Sequence, residues 1–331
     1  MKVYRNVPLK EFNTFGIAAR ARRLVVIEDD VDLALSPFAA NHPSLILGAG
    51  SDTVFTHDYN GMVIMLEQKT LVTVDGCNVR AWAGMRMDDL VQWTLDNGLY
   101  GLENLSAIPG TVGAAAVQNV GAYGVEAKDS IVSVETISLG SSKRHRYTGD
   151  ECHFAYRTSR FKEPDNGDEL VVWVTFALSR EYVPNLSYTA LEGLPHATAQ
   201  ELREAITDLR WQKLPRPEEH GSAGSFFKNP VVDEATYQRL KAEYPDMPEA
   251  HAITQPLSHI VTYKLSAGWL IDRAGWKGKT MGRAGVWPKN ALVLYNTGGC
   301  TGEEVMALAK AIQDDVTAKF GVTLQSEAII I

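Results

Sequence analysis

The sequence predicts a mixed α and β protein of two or three domains, and three observations lead to that reading. Short apolar strands alternate with amphipathic helical stretches along the whole chain. A run of glycines and alanines over residues 101–124 separates two such stretches. The chain's 331 residues, 45% hydrophobic against 22% charged, are enough for more than one core.

Taken in order, residues 1–67 read as a small α/β unit. A short helix is expected at 30–40, and a buried strand at 45–47 runs into Gly48-Ala-Gly50-Ser51-Asp52. A strand ending in GxGS can present amides to a phosphate. The residues that follow, Thr53-Val-Phe55, are not helical and the third glycine of GxGxxG is missing, which excludes a Rossmann reading. Another apolar strand covers 62–66. Strands at 70–74 and 77–83 flank Asp75-Gly76, a dipeptide that favours a two-residue hairpin turn. A helix over 88–97 turns Leu90, Val91 and Leu95 inward and stops at Gly98.

The stretch GLENLSAIPGTVGAAAVQNVGAYG follows at 101–124. Its small side chains allow backbone amides to come close to a bulky ligand, and oriented N–H groups suit an anion such as a diphosphate. A glycine-rich surface loop fits the composition equally well. Against that loop stand the lack of charge between Glu103 and Glu126 and the presence of Ile108, Val112, Val117 and Val120.

Strands are expected at 131–139 and 170–178, with a turn at Gly140-Ser-Ser142 and a short return strand at 144–147. A helix over 201–212 carries Leu202, Ala205, Ile206 and Leu209 on one face and is stopped by Lys213-Leu-Pro-Arg-Pro217. A third unit holds helices at 233–244 and 267–274. There Thr301-x-x-Glu304 reads as a capping box that opens a helix with Val305, Leu308, Ala309, Ile312 and Val316 inward. The strand-like tail, 322–331, carries one carboxylate, Glu327.

Charge and composition narrow the chemistry. A net charge of −8 with no basic stripe argues against nucleic acid, while small basic clusters (Arg157, Arg160, Lys162; Lys213, Arg216; Lys277, Lys279, Arg283) suit small anionic ligands or a solvated face. No HxH, HExxH or Cys/His cluster is present, so no metal is expected. Three cysteines without a CxxC pair are read as buried free thiols of a reducing cytoplasm, and no apolar run reaches the roughly 18 residues of a membrane span.

Three stretches pair reactive side chains with glycine or aromatic neighbours. In the segment 152–162, Arg157 and Arg160 suit bidentate contact with a carboxylate or phosphate; a surface strand of alternating charge fits the spacing as well. In Gly221-Ser-Ala-Gly-Ser225-Phe-Phe-Lys-Asn-Pro230, Ser225 is not the centre of a GxSxG elbow, which leaves a hydroxyl proton donor or a turn serine. Glu327 in its apolar strand is either neutral, paired or at an exposed edge.

Six motifs occur together and in order: Asn13-Thr-Phe-Gly-Ile17, Leu47-Gly-Ala-Gly-Ser51, the 101–124 stretch, Tyr156-Arg-Thr-Ser-Arg-Phe-Lys162, Gly224-Ser-Phe-Phe-Lys-Asn-Pro230 and Ala267-Gly-Trp-Leu-Ile-Asp272. With them the chain closely resembles the UDP-N-acetylenolpyruvoylglucosamine reductase family, flavoenzymes of bacterial peptidoglycan synthesis. Tyr188 and the length of the tail resemble the first of its two types.

The resemblance implies an α+β protein with a two-lobed FAD-binding fold of the vanillyl-alcohol-oxidase type and a third α+β substrate-binding domain. The implied boundaries are 1–67 with the tail 322–331 returning to it, 68–212, and 213–321. It implies FAD as cofactor, NADPH as reductant and the enolpyruvyl sugar nucleotide as substrate, in a cytoplasmic monomer without membrane insertion.

By match to the family motifs, Ser225 is the proton donor, with Arg157 and Glu327 holding the substrate carboxylate; Tyr188, Lys213 and Asn229 match nucleotide contacts. Flavin contacts are implied for Gly48, Gly50, Ser51, Asp52, Ile108, Gly110, Thr111, Gly113, Asn119, Gly121 and Tyr123. Two departures stand out: Asp52 replaces the usual Asn after GxGS, and Gln325-Ser-Glu327 replaces a Glu-Pro-Glu type sequence. A related flavin oxidase, a lapsed flavin-binding protein and a nucleotide-sugar binding module without flavin are the competing classes. The intact set Arg157, Ser225 and Glu327 speaks against lapse.

Overall fold

A computed structural model describes residues 1–29, 43–194, 197–254 and 261–331. The helix expected at 30–40 lies outside them. The chain divides into two compact units: Met1–Pro8, Arg20–Gly50 and Tyr59–Trp211 form the first; Leu9–Ala19, Ser51–Asp58 and Gln212–Ile331 form the second. Among the described residues the α-helices are α1 Met87–Asp96, α2 Val112–Gln118, α3 Ala199–Lys213, α4 Glu234–Glu243, α5 Ala267–Arg273 and α6 Gly302–Phe320.

The first unit holds two sheets. One orders Lys2–Pro8, Arg20–Ile27, Tyr59–Leu66 and Ser44–Ile46, with the last three parallel. Strand Tyr59–Leu66 is buried on both faces from Gly61 onward, which explains its unbroken Met-Val-Ile-Met-Leu run. The other sheet is antiparallel, in the order Arg144–Thr148, Ile131–Ser138, Glu169–Ala177, Asn78–Trp82, Val72–Asp75. Its central strand Glu169–Ala177 is buried along nearly its whole length, in one core with Leu90 and Val91 of α1 and Val112, Ala115 and Ala116 of α2.

The hairpin expected at 70–83 forms, but its turn sits one residue later than expected. Asp75 pairs with Asn78, so the loop is Gly76-Cys77 and not Asp75-Gly76. Of the two loop residues only Gly76 has positive φ, +60°, as a turn with glycine at its first central position requires.

In the second unit, Ser222–Ser225, Val293–Asn296, Ala284–Val286 and Thr280–Met281 form an antiparallel sheet, and Val231–Asp233, Val261–Lys264 and His251–Thr254 a smaller one. The capping box forms: Thr301 accepts from the Glu304 N–H while Glu304 accepts from the Thr301 N–H. Helix α6 then runs with the expected face buried until Gly321, at φ +68°. The tail is a regular strand only at Ile329–Ile330, paired with Thr53–Val54, because residues before it bond instead to 226–228.

Candidate functional site

In the first unit, strand Ser44–Ile46 feeds directly into the Gly48-Ala-Gly50 turn, with Gly50 at φ +63°. A Cβ on Gly48 would lie 3.0 Å from Thr111 Oγ1 and 3.1 Å from Ala114 Cβ. The two glycine-bearing stretches therefore abut, and a Cβ at position 48 would press on both side chains. Thr111 caps α2, its hydroxyl accepting from the Ala114 N–H at 3.3 Å. The Gly110 carbonyl accepts from Met87 N–H at 3.0 Å, and Gly113 donates to the Ala83 carbonyl at 2.9 Å. A Cβ on Gly113 would be 2.8 Å from Ala83 Cβ, so this glycine seats α2 against the neighbouring strand end. The N–H groups of Gly48, Ala49 and Thr111 have no protein partner among the described residues. Unpaired N–H groups on two abutting turns are the donor set a diphosphate requires, so the cradle fits such a ligand.

The segment is no surface loop. Leu102, Leu105 and Ile108 are buried, and 112–118 is helical. Helix α2 was not expected, because the glycine in Val-Gly-Ala-Ala-Ala lowers its intrinsic propensity; packing of its alanine face on the sheet overrides this. Asn119 closes α2 in the left-handed conformation at φ +43°. It is fully buried, and its Nδ2 donates to Glu126 at 3.1 Å and to the Ala155 carbonyl at 2.9 Å, while Oδ1 accepts from Lys128 N–H at 3.0 Å. Its side chain thus holds the turn, and its N–H closes the helix on the Ala116 carbonyl at 3.2 Å.

Tyr123, at φ +48°, meets Tyr188 edge-on with ring centroids 5.3 Å apart. Asn104 Nδ2 donates to the Tyr123 and Asn185 carbonyls at 2.8 and 3.0 Å, and so fixes both segments. Sequence reasoning missed Asn104. Its signal is an amide set among small residues in an uncharged stretch, where a buried polar group must have partners.

The two arginines that spacing left equivalent differ in the fold. Arg157 Nη2 donates to the Gly121 carbonyl at 2.9 Å, and Arg157 itself has φ +54°. Arg160 stacks over the Tyr147 ring at 3.9 Å and donates to the Glu151 carbonyl at 2.8 Å. Arg157 thus joins the glycine segment while Arg160 is spent on local packing. The surface-strand alternative for 152–162 fails: the segment is turns and a single-turn helix at Arg160–Lys162, because His153 and Arg157 both take positive φ.

In the second unit Ser225 ends strand Ser222–Ser225 opposite Val293. The next residues, Phe226 and Phe227, are fully buried and pack edge to face, their centroids 5.0 Å apart. The tail runs antiparallel alongside: Lys228 N–H donates to the Gln325 carbonyl at 2.9 Å and Glu327 N–H to the Phe226 carbonyl at 2.8 Å. Register thereby sets the Glu327 backbone against Phe226, the residue after Ser225, although 102 positions separate Ser225 from Glu327. Ile329 N–H, bonded to the Asp52 carbonyl at 2.8 Å, secures the end of the tail. Asn229 Oδ1 accepts from Ala267 N–H at 3.0 Å, which leaves its Nδ2 without a partner among the described residues. Ser51 is half-buried, and Lys213 is exposed at the end of α3.

The C-terminal domain of UDP-N-acetylenolpyruvoylglucosamine reductase matches residues 216–331, and an FAD binding domain matches 26–146. UDP-N-acetylenolpyruvoylglucosamine reductase of Burkholderia cenocepacia is 44% identical over 97% of this chain and 95% of its own length. The chain belongs to the UDP-N-acetylenolpyruvoylglucosamine reductase family. The reductase of Paraburkholderia phymatum is 43% identical, covering 97% of this chain and 96% of its own. The crystal structure of the Thermus caldophilus reductase matches with a TM-score of 0.70 at 26% identity, over 100% of this chain and 99% of that one.

The reductase fold is α+β with an FAD-binding domain, and the protein is an FAD-dependent oxidoreductase of peptidoglycan synthesis. Among the described residues no three His, Cys, Asp or Glu side chains form a metal site, and no helix is long and apolar enough to cross a membrane. Burial pushes the Cys152 thiol up to about 12 and Cys300 up to about 11, so neither supplies a thiolate near neutral pH.

Proposed function

We propose that this reductase uses NADPH to convert UDP-N-acetylenolpyruvoylglucosamine to UDP-N-acetylmuramate, with Ser225 as the proton donor. The reading rests chiefly on one observation, the antiparallel register that sets Glu327 beside the Ser225-Phe226 step. In this scheme Gly48, Gly50, Ser51, Asp52, Ile108, Gly110, Thr111, Gly113, Asn119, Gly121 and Tyr123 hold FAD. The unpaired N–H groups of Gly48, Ala49 and Thr111 support the placement of its diphosphate. Bound FAD supplies the hydride that reaches the vinyl carbon of the substrate.

Ser225 Oγ then gives its proton to the neighbouring carbon and recovers one from solvent. A hydroxyl is a weak acid, so it donates only to a strongly basic carbon, which is the demand of an enolate-like centre. Arg157 and Glu327 hold the substrate carboxylate and steady the charge that builds there. The carbonyl of Gly121 accepts from Nη2 of Arg157 and orients it, and a guanidinium fork suits a carboxylate. Tyr188, Lys213 and Asn229 take the nucleotide; Tyr188 offers a ring already braced by Tyr123, and Asn229 its Nδ2. Two flavin lobes, 1–67 with the tail and 68–212, a substrate domain over 213–321, a cytoplasmic location and a monomeric state belong to the same reading.

The test is the visible spectrum of the purified protein, recorded anaerobically before and after NADPH and then after the enolpyruvyl substrate. The expected sequence is a flavin band, its bleaching and its return. A band that bleaches and does not return with substrate would point to a lapsed or different flavoprotein; a colourless preparation given excess FAD would defeat the reading.

A further inference from the structure

The Asn13-Thr-Phe-Gly-Ile17 motif has no part in the reaction as proposed, yet within the second unit it packs on the strand that carries Ser225. Asn13 is buried and closes its own loop. Its Nδ2 donates to the Leu9 and Ile17 carbonyls at 2.8 and 3.1 Å, and its Oδ1 accepts from the Ile17 N–H at 3.0 Å. Thr14 reaches out of that loop to strand Ser222–Ser225. Its Oγ1 donates to the Ser222 carbonyl at 2.6 Å, and its own carbonyl accepts from the Ser222 N–H at 3.0 Å. Both main-chain polar groups of Ser222 therefore end on one residue 208 positions earlier. The loop comes this close because position 221 is glycine; a Cβ there would lie 2.2 Å from the Phe15 carbonyl oxygen. Asn296 ties the same two segments together, with Nδ2 donating to the Phe15 carbonyl at 3.0 Å and N–H to the Gly221 carbonyl at 2.8 Å.

Strand Ser222–Ser225 lies at the edge of its sheet, beside Val293–Asn296, and it is not regular. Ser222 pairs with Tyr295 and Ser225 with Val293, so Ala223 and Gly224 stand opposite Leu294 alone. Gly224 sits at φ +66°, the left-handed conformation that a bulge with glycine uses. Side chains alternate along a strand, so that one extra residue decides which face Ser225 presents. A bulge on an edge strand shifts along it unless both flanks are held. The flank after it is held by the Phe226 N–H, which donates to the Leu292 carbonyl at 2.8 Å, and by the tail, whose Glu327 N–H donates to the Phe226 carbonyl. The flank before it is held by Thr14.

We propose that Thr14 is a positioning residue for Ser225: by clamping Ser222 it keeps the bulge in place and so aims the Ser225 hydroxyl at the carbon to be protonated. The role rests on the proposed reaction, in which Ser225 gives up that proton. Thr14 makes and breaks no bond itself. A proton passes only across hydrogen-bond distance, and a misplacement of about 1 Å caused by a change remote from the chemistry costs on the order of a hundredfold. Valine keeps the shape of Thr14 and removes its hydroxyl, leaving the Ser222 carbonyl without that donor; serine keeps the hydroxyl.

The experiment compares the full-chain holoenzyme as wild type, Thr14→Val, Thr14→Ser, Ser225→Ala and the double variant Thr14→Val with Ser225→Ala. Stopped-flow absorbance follows reduction of the flavin by NADPH and its reoxidation by the enolpyruvyl substrate. Amide hydrogen exchange follows residues 222–225 in the absence of substrate. Thr14→Val is expected to slow reoxidation by about tenfold to a hundredfold, with reduction within about twofold of wild type. Exchange at 222–225 should quicken in Thr14→Val, and Thr14→Ser should restore both readings. In the Ser225→Ala background, Thr14→Val should add less than about twofold, because a hydroxyl already removed cannot be misaimed. Thr14→Ala removes the same hydroxyl and carries the same expectations should Thr14→Val not fold. Effects that multiply in the double variant, equal loss in both half-reactions, or unchanged exchange at 222–225 would overturn the role and leave the motif structural. Slow reoxidation of Ser225→Ala beside an unimpaired Thr14→Val defeats this role alone. Reoxidation of Ser225→Ala at the wild-type rate, or none in wild type, defeats the proposed reaction and this role with it.

Discussion

In the first unit the candidate groups are backbone amides, set where glycines at 48 and 113 let chain segments abut. In the second they are side chains, Ser225 and Glu327, set by the hydrogen-bond register between 226–228 and the tail. The first arrangement depends on the absence of atoms and leaves little room for an added methyl, least at Gly113. The second depends on alignment of distant strands and tolerates change in size far better than a slip in register, since a one-residue slip would send Glu327 to the opposite face. A substitution in the first unit should therefore cost cofactor and stability, and one in the second should cost chemistry.

The largest effect expected on this contrast is from Ser225→Ala. Reoxidation of reduced flavin by substrate should slow by about 10²–10⁴-fold while reduction by NADPH stays near wild type, read by stopped-flow absorbance in each half-reaction. Equal loss in both would place Ser225 in binding instead. Next, Glu327→Ala should lower substrate turnover by about a hundredfold, with Glu327→Gln retaining more because the amide still donates a hydrogen bond. The reverse order in steady-state assays would mean that the negative charge itself is needed.

Gly113→Val sharpens the other side of the comparison. Its Cβ would lie 2.8 Å from that of Ala83, so the variant should lose about 1–3 kcal/mol in urea unfolding and purify with less flavin. Retention of both would show that α2 shifts freely and that the abutment is not required.

The smallest effect concerns Glu304, in the capping box of α6. Backbone bonding at Thr301 and the Arg283 guanidinium hold its carboxyl down to about 2, well below the usual carboxylate range. A depressed carboxylate stabilises the fold above the unfolded value, and that contribution fades as pH falls from about 4.5 towards 2. Glu304→Gln should accordingly lower the thermal midpoint at pH 7 and match wild type near pH 2. A gap that persists at pH 2 would assign the effect to packing.

Much of the fold was legible because its signals are local. Apolar runs marked Tyr59–Leu66 and Glu169–Ala177, and Thr301-x-x-Glu304 marked the start of α6, since a capping box uses only neighbouring groups. The hairpin turn was misplaced by one residue because Asp75-Gly76 and Gly76-Cys77 are both acceptable turns in isolation; pairing of Asp75 with Asn78 chose between them. Helix α2 was invisible because burial of Val112, Ala115 and Ala116 in the core holds it, which propensity does not show.

By itself the sequence determined the family and most of the run of elements, because motifs, periodicity and caps are written in neighbouring side chains. Tertiary structure alone decided which of Arg157 and Arg160 faces the glycine segment, that Asn119 is consumed by its own turn, and that the Glu327 backbone pairs with Phe226. Each of those facts is a pairing between positions far apart in the chain. The free energy of such a pairing depends on burial and partner geometry, which spacing along the sequence does not encode.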